Sequence, residues 1–295
     1  MSTIADLGEF GLLAELARLG LAEAIGDDTA VLSGGRVVTQ DTLVEDVHFR
    51  LRWTSWRDLG YKAAAVNLSD LAAACAEPEA LIVSLAAPAA TAVADVLELY
   101  AGLNETGVPV RGGDTTAGDR LYLSVTAIGQ SDRVPGRAGA RPGDALVVTG
   151  PLGGSAAGLR VLERGLAGFD ELVRAHNRPP FRLDAARRLQ PVAHALIDLS
   201  DGIAGDALRI SERSGCGLEL DVDALPLAPR LAEVGDEPFW TMGEDYELLA
   251  AVGPEAVAGL GYAVVGRCVP GSGVRLLRSG EPVEARGFEH FRRGS

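Results

Sequence analysis

At 295 residues the chain is long enough for two domains at a soft prior of about 150 residues each. Hydrophobic residues make up 47% and charged residues 23%, a balance that excludes a disordered, collagenous or low-complexity chain. The 27 basic residues against 41 acidic ones leave a net charge of −14, the wrong sign for holding a nucleic-acid backbone, and 5% aromatics leave few platforms for stacking bases.

Leu7, Phe10, Leu13 and Leu16 recur at helical spacing ahead of Gly20, which predicts an amphipathic opening helix. Gly26-Asp27-Asp28 reads as a turn, and residues 36–43 as a strand. Thr54 or Ser55 can cap a long alanine-rich helix over 56–76, which carries Lys62 and Asp70. A strand over 80–86 and a helix over 90–105 lead to a strand that runs into Arg111-Gly112-Gly113-Asp114. Leu121, Leu123, Val125 and Ala127 then alternate with Tyr122, Ser124 and Thr126, the period of a half-buried strand. The proline-, glycine- and arginine-rich stretch over 131–144 predicts a boundary between domains over 1–135 and 136–295. Beyond it come a strand over 145–149, a glycine-rich turn over 150–158, helices, a strand over 195–199, a helix to about 214 and a strand after Asp245. Two α/β domains of α+β type are the expected fold class. Asn67-Leu68-Ser69-Asp70 echoes Asp198-Leu199-Ser200-Asp201, a match too short to establish duplication.

Cys75, Cys216 and Cys268 are odd in number and widely spaced, which implies neither a disulfide framework nor a zinc motif and suggests a reducing, cytoplasmic setting. The opening residues lack the basic and apolar regions of a secretory signal. The longest mostly apolar uncharged stretch, over 80–94, contains Pro88 and falls short of the roughly 20 residues that span a bilayer, so no membrane partner is expected. Lys62 is the only lysine, and no Gly-Lys is followed by Ser or Thr, which excludes the ordinary P-loop. In its apolar helical stretch Lys62 reads as structural or phosphate-facing.

Acidic residues recur beside glycine or at strand ends: Gly26-Asp27-Asp28, Thr39-Gln40-Asp41, Gly113-Asp114, Asp198-Leu199-Ser200-Asp201-Gly202 and Gly243-Glu244-Asp245. Any one of these alone is an ordinary turn, because Asp bonds its local backbone and Gly supplies positive φ. Jointly they can converge on one cleft. Without neighbouring Cys or His, such hard oxygen ligands suit magnesium, manganese or calcium over zinc, and magnesium implies phosphates. Asp70 is costly to bury among Leu68, Leu71 and alanines without a partner. Asp201 can equally serve as a helix N-terminal acid. Gly150 to Gly154 resembles a phosphate-cradling turn without dinucleotide spacing, and Ser200 lacks the Gly-x-Ser-x-Gly elbow of hydrolases.

In order, Gly-Asp-Asp-Thr-Ala, Thr-Gln-Asp-Thr-Leu-Val-Glu-Asp-Val-His-Phe, Gly-Tyr-Lys-Ala-Ala-Ala-Val-Asn-Leu-Ser-Asp-Leu-Ala-Ala, Gly-Gly-Asp-Thr-Thr, Arg-Ala-Gly-Ala-Arg-Pro-Gly-Asp, Ile-Asp-Leu-Ser-Asp-Gly and Gly-Glu-Asp-Tyr-Glu-Leu resemble the thiamine-monophosphate kinases over nearly the whole chain. The wider superfamily includes aminoimidazole ribonucleotide synthetase, selenophosphate synthetase and a hydrogenase maturation protein. The resemblance implies ATP-dependent phosphorylation of thiamine monophosphate to thiamine diphosphate in a cytoplasmic homodimer. It also implies an N-terminal sheet that joins its mate's in a β-barrel, with a C-terminal α/β domain packed against it. Carried over by motif, Asp27, Asp41, Asp70, Asp114 and Asp198 would bind several magnesium ions, with Thr39 and Gln40 near one and Asp201 on a further one. Gly113, Asp114, Arg137 and Ser200 would contact ATP, and His48, Glu244 and Phe288 would contact thiamine monophosphate. Asp27, Asp41, Asp114 and Asp198 would serve catalysis through metal, with no general base.

Two residues depart from the family pattern. Gln40 stands where Thr is usual, and Met242 where Gly is frequent. The alternatives are another ATP-using enzyme of the superfamily or a non-catalytic nucleotide or cation sensor. A selenophosphate synthetase would carry a reactive cysteine or selenocysteine near its N-terminus, whereas the first cysteine here is Cys75.

Overall fold

The computed structural model describes residues 3–22 and 26–283, apart from the side chain of Phe10. The opening helix, α1 (Ile4–Arg18), forms as expected but bends at Gly8, where φ is 70°. Its apolar residues do not gather into a buried stripe. Ile4 and Leu7 stay exposed, while Glu9 and Leu13 face the cleft described below.

In the first half, β1 (Ala30–Val31), β2 (Arg36–Val44), β3 (Glu77–Ala87), β4 (Val110–Ala117) and β5 (Tyr122–Gln130) form one sheet in the order β1-β2-β5-β3-β4. β5 pairs antiparallel with both β2 and β3, and β4 pairs parallel with β3 at the edge. The alternation read in β5 sorts its two faces: Leu123, Val125 and Ala127 are buried, and Ser124 and Thr126 face the other way. The buried face is covered by α2 (Trp56–Ala73), and α3 (Val93–Asn104) packs on α2. Ser55, not Thr54, caps α2 by accepting the Asp58 N–H at 3.1 Å. The helix stops three residues short of the expected end, where Ala74 closes it and Cys75 turns left-handed.

In the second half, β6 (Ala145–Val148), β7 (Ala193–Asp198), β8 (Gly217–Asp221), β9 (Leu248–Val252), β10 (Ala263–Val269), β11 (Val274–Arg278) and β12 (Glu281–Val283) form a sheet in the order β12-β11-β8-β10-β6-β9-β7. Helix α4 (Gly154–Arg164) starts inside the expected glycine-rich turn and packs against α5 (Asp170–Asn177), and α6 (Leu183–Leu189) follows. Helix α7 (Ile203–Ser214) packs on one face of the sheet. The other face meets α6 and, from the first half, Ala72, Ala73 and Cys75 at the end of α2. The chain is thus a mixed α/β fold with two sheets, as expected, and among the described residues neither sheet closes into a barrel.

α2 therefore sits between the two sheets. Leu59, Leu68 and Leu71 are fully buried on it, each worth roughly 2 kcal/mol of apolar burial, which helps offset the polar groups it also buries, Lys62, Asn67 and Ser69. Its contact with α3 leaves no room for a side chain, since a Cβ on Gly60 would lie 1.9 Å from the Leu99 carbonyl oxygen and one on Gly102 1.9 Å from that of Arg57. Gly60→Ala is expected to force the helices apart at a cost of about 3 kcal/mol and to lower Tm by several degrees in thermal unfolding; an unchanged Tm contradicts this close approach.

Candidate active site

A cleft of about 670 Å³ opens where the end of α2, the turn before β1, the strand β2 and the C-terminal end of β7 meet. Asp28 comes from that turn, Asp70 from the last turn of α2 and Asp198 from the end of β7, and their carboxylate oxygens lie within 4.8 Å of one another. Sequence separation puts each on a different element, and the packing of α2 between the sheets brings them together. Thr39 Oγ1 donates to Asp70 Oδ2 at 2.6 Å, and Ser69 Oγ donates to Asp198 Oδ2 at 2.7 Å. Asn67, one turn before Leu71 on α2, accepts the Asp41 N–H at 3.0 Å and fixes the β2 backbone beside the cluster.

Burial and mutual repulsion disfavour charge on these acids. Burial, reinforced by Asp41 and Asp198, holds the Asp70 carboxyl well above its ordinary range. Burial and the Asp28 charge push Asp198 up to about 8, and burial with Asp201 and Asp28 pushes Asp41 up to about 6. Asp28 is raised by burial even though the Arg137 guanidinium pairs with it. Such a cluster calls for positive charge, and its all-oxygen donor set fits a hard divalent cation. Next to it the Arg209 guanidinium pairs with Asp201, while the buried Asp206 accepts the Asp201 N–H at 3.1 Å and lies 3.6 Å from Arg209 Nε.

A further stretch of the wall is made by residues 242–246. Gly243 has φ 82°, and a Cβ there would lie 2.3 Å from the Ser200 carbonyl oxygen. Glu244 and Tyr246 also have positive φ, at 60° and 51°, conformations that cost of order 1 kcal/mol for non-glycine residues and concentrate at functional sites. Backbone hydrogen bonds hold them, from Glu244 N–H to Ser200 O at 2.8 Å and from Tyr246 N–H to Leu199 O at 2.9 Å. The Glu244 carboxylate lies 3.1 Å from Lys62 Nζ. Burial raises its carboxyl, but the Lys62 charge and hydrogen bond, together with His176 and His48, outweigh that and hold it below its ordinary value. His48 Nδ1 accepts the Val44 N–H at 3.0 Å, which puts the proton of the neutral ring on Nε2.

Comparison with known proteins decides the family. Models of the AIR synthase related protein N-terminal and C-terminal domains match residues 26–131 and 141–276. The thiamine-monophosphate kinases of Salmonella typhimurium and Mycobacterium tuberculosis are each 38% identical to this chain, the first over 96% of this chain and 98% of its own length, the second over 95% and 90%. The chain belongs to the thiamine-monophosphate kinase family. A solved structure of AaThiL complexed with AMPPCP and TMP matches it with a TM-score of 0.91 at 34% identity, covering 98% of this chain and 99% of that one.

Of the residues that resemblance to the thiamine-monophosphate kinases singled out, Asp27, Thr39, Gln40, Asp41, His48, Asp70, Arg137, Asp198, Ser200, Asp201 and Glu244 all line the one cleft. Within it Asp27 is set apart from the three clustered carboxylates: its Oδ1 accepts the Arg137 N–H at 2.8 Å and its Oδ2 lies 3.6 Å from Arg213. Its neighbour Asp28 is the member of the pair that joins Asp70 and Asp198. The Gln40 amide oxygen accepts from Thr126 Oγ1 at 2.9 Å on the face of the sheet away from α2. Gly113 and Asp114 do not line the cleft. Register aligns Thr42, Ser124, Ser84 and Asp114 across the sheet, so Asp114 lies three strand spacings, about 14 Å, from β2. Phe288 lies outside the described residues. From the sequence, Asp28 stands only within its acidic motif with no role of its own, and Asp206 is not singled out at all. Two adjacent acids in a turn do not reveal which one points inward, and an acid in the first turn of a helix passes for a dipole partner.

A carboxyl whose folded pKa is raised adds stability that is complete below its unfolded pKa and is lost as pH rises through the folded one. For Asp41 at about 6 and Asp198 at about 8, that loss extends from about pH 4 to about pH 8. The cation-free protein is expected to lose Tm between about pH 5.5 and 8.5, and a saturating divalent cation to restore more of it at the higher pH. Thermal unfolding in EDTA and in magnesium chloride at both pH values measures this, and a cation-free Tm that climbs across the window contradicts it.

Proposed function

We propose that this chain transfers the γ-phosphoryl group of ATP to thiamine monophosphate, releasing ADP and thiamine diphosphate. The observation that carries this reading is the convergence of Asp28, Asp70 and Asp198 beside Arg137, in the same cleft as His48 and Glu244, in a chain 38% identical to thiamine-monophosphate kinases. Asp28, Asp41, Asp70 and Asp198 would hold magnesium, Thr39 would orient Asp70, and Asp201 would serve a further ion. Magnesium bound there supplies positive charge to the ATP phosphates. That charge is needed because two unit charges about 4 Å apart repel by roughly 4 kcal/mol at an effective dielectric of ~20, and donor and acceptor here are both phosphates.

Each protein group has its own task in this scheme. Arg137, whose Nε is buried without a hydrogen-bond partner, offers a donor to an ATP phosphate. Ser200, in the turn between β7 and α7, lines the same cleft and would contact ATP. His48 presents its Nε2 proton to the acceptor, and Glu244, with Phe288, binds its thiamine portion. The acceptor phosphate has a second pKa of about 6, like other phosphate monoesters, and is already ionised near neutral pH, so no general base is assigned. Transfer is direct and in line, with no phosphoenzyme.

The reading extends to a cytoplasmic homodimer with a β-barrel across its interface. β4 is an edge strand with every residue from Arg111 to Ala117 exposed, and a bare edge of that length invites pairing with another chain. Asp114 and Gly113 on that edge would then complete the partner's site. In this scheme residues 1–135 form the dimerisation and Mg-ATP domain, and residues 136–295 contribute ATP and substrate contacts.

Purified protein given ATP, magnesium and thiamine monophosphate is expected to form ADP and thiamine diphosphate; tight binding without product would instead mark a sensor. Asp28→Asn should lower kcat at least about tenfold, or 1.4 kcal/mol, and wild-type turnover in that variant removes Asp28 from the mechanism. Asp28→Asn and Asp114→Ala, each at about a tenth of wild-type activity or less alone, should together rise to about a quarter of wild type when unfolded and refolded as a mixture, because half the dimers then carry one intact site. No regain means that each chain completes its own site.

A further inference from the structure

Lys62 is the only lysine of the chain, and its side chain is 1% exposed. An ammonium so deeply buried is costly unless it is paired. Lys62 lies two helical turns before Ser69 on the face of α2 that meets the second domain. There its Nζ sits 3.1 Å from Oε1 and 3.3 Å from Oε2 of Glu244, bridging both carboxylate oxygens. Glu244 lines the cleft and Lys62 does not, so the ammonium stands behind the carboxylate. On α5, His176 Nδ1 lies 3.5 Å from Glu244 Oε2 and 3.1 Å from Ser155 Oγ. Burial, and then the Lys62 charge, push His176 down to about 3, so of the groups within 3.5 Å of the Glu244 carboxylate Lys62 is the ammonium that bridges it.

A carboxylate only accepts hydrogen bonds, so Glu244 held from behind by Lys62 still offers its cleft-facing lone pairs to a donor and offers nothing to a phosphate. Thiamine monophosphate presents a thiazolium cation and an aminopyrimidine donor. Resting on the kinase reading above, we propose that Lys62 is the positioning residue for the acceptor: from behind the cleft wall it fixes Glu244 as an anion aimed at the cationic, hydrogen-bond-donating part of thiamine monophosphate. Lys62 itself touches no substrate. It links acceptor recognition to the same helix that supplies Asp70 to the carboxylate cluster.

Because there is a single lysine, protein grown on lysine labelled with 13C at the ε carbon gives one side-chain resonance, and wild-type protein suffices. That resonance is expected to shift on titration with thiamine monophosphate, to saturate with it, and to stay in place with AMPPCP alone. In steady-state kinetics Lys62→Met should raise KM for thiamine monophosphate at least about tenfold, leave KM for ATP near wild type, and be partly rescued by Lys62→Arg. A wild-type enzyme that turns over but whose lysine resonance ignores thiamine monophosphate, or responds equally to AMPPCP, overturns the inference and leaves the kinase reading intact. An equal rise in both KM values in Lys62→Met also overturns it. If Lys62→Met does not fold, the wild-type titration decides alone. A wild-type protein that forms no thiamine diphosphate overturns the kinase reading and the inference with it.

Discussion

The arrangement of this molecule turns on the repulsion among buried carboxylates at one point where four elements meet. Asp28, Asp70 and Asp198 are close enough that their charges cannot coexist without compensation, and burial removes the water that would otherwise screen them. Protein groups compensate only at the margins. Arg137 pairs with Asp28, Thr39 and Ser69 donate to Asp70 and Asp198, and Arg209 pairs with Asp201 further out. None of these groups brings a full positive charge to the centre of the cluster, whose oxygen donors fit a hard divalent cation.

Helix α2 makes that meeting possible. It is packed on both sides, with leucines and alanines against the first sheet and Ala72 and Ala73 against the second, so its orientation is set by two cores at once. Polar side chains at successive turns then point at different parts of the cleft: Lys62 at Glu244, Asn67 at the β2 backbone, Ser69 at Asp198 and Asp70 at Thr39. Gly60 and Gly102 let α3 approach closely and hold the helix down on its sheet. A helix shared by both halves couples the geometry of the carboxylate cluster to that of Glu244, because neither can shift without disturbing a core that is packed like a crystal.

Backbone strain gathers in the turn over 243–246. Gly243, Glu244 and Tyr246 take positive φ in succession around Asp245, whose carboxylate accepts the Gly153 N–H at 2.7 Å at the start of α4. The turn is thereby tied to a helix terminus below and to residues 199 and 200 above. This fixes the Glu244 carboxylate over Lys62 rather than leaving it on a mobile loop.

Much was legible in the chain itself. The alternation at 121–127, the serine at 55 and the alanine-rich run after it follow from local periodicity and capping, which depend on near neighbours. The grouping of short acidic motifs into one oxygen-rich site was also readable, since the scarcity of histidine and cysteine beside them left few other chemistries. What the sequence could not decide was direction and company. Whether Asp27 or Asp28 turns inward depends on the path of a turn that Arg137, more than a hundred residues away, holds in place. That Lys62 faces Glu244, and that Asp114 lies across the sheet from Asp41 instead of beside it, follows from helix packing and strand register. Residue type and spacing are local properties of the chain, whereas the pairing of charges is settled only when distant segments exclude water between them.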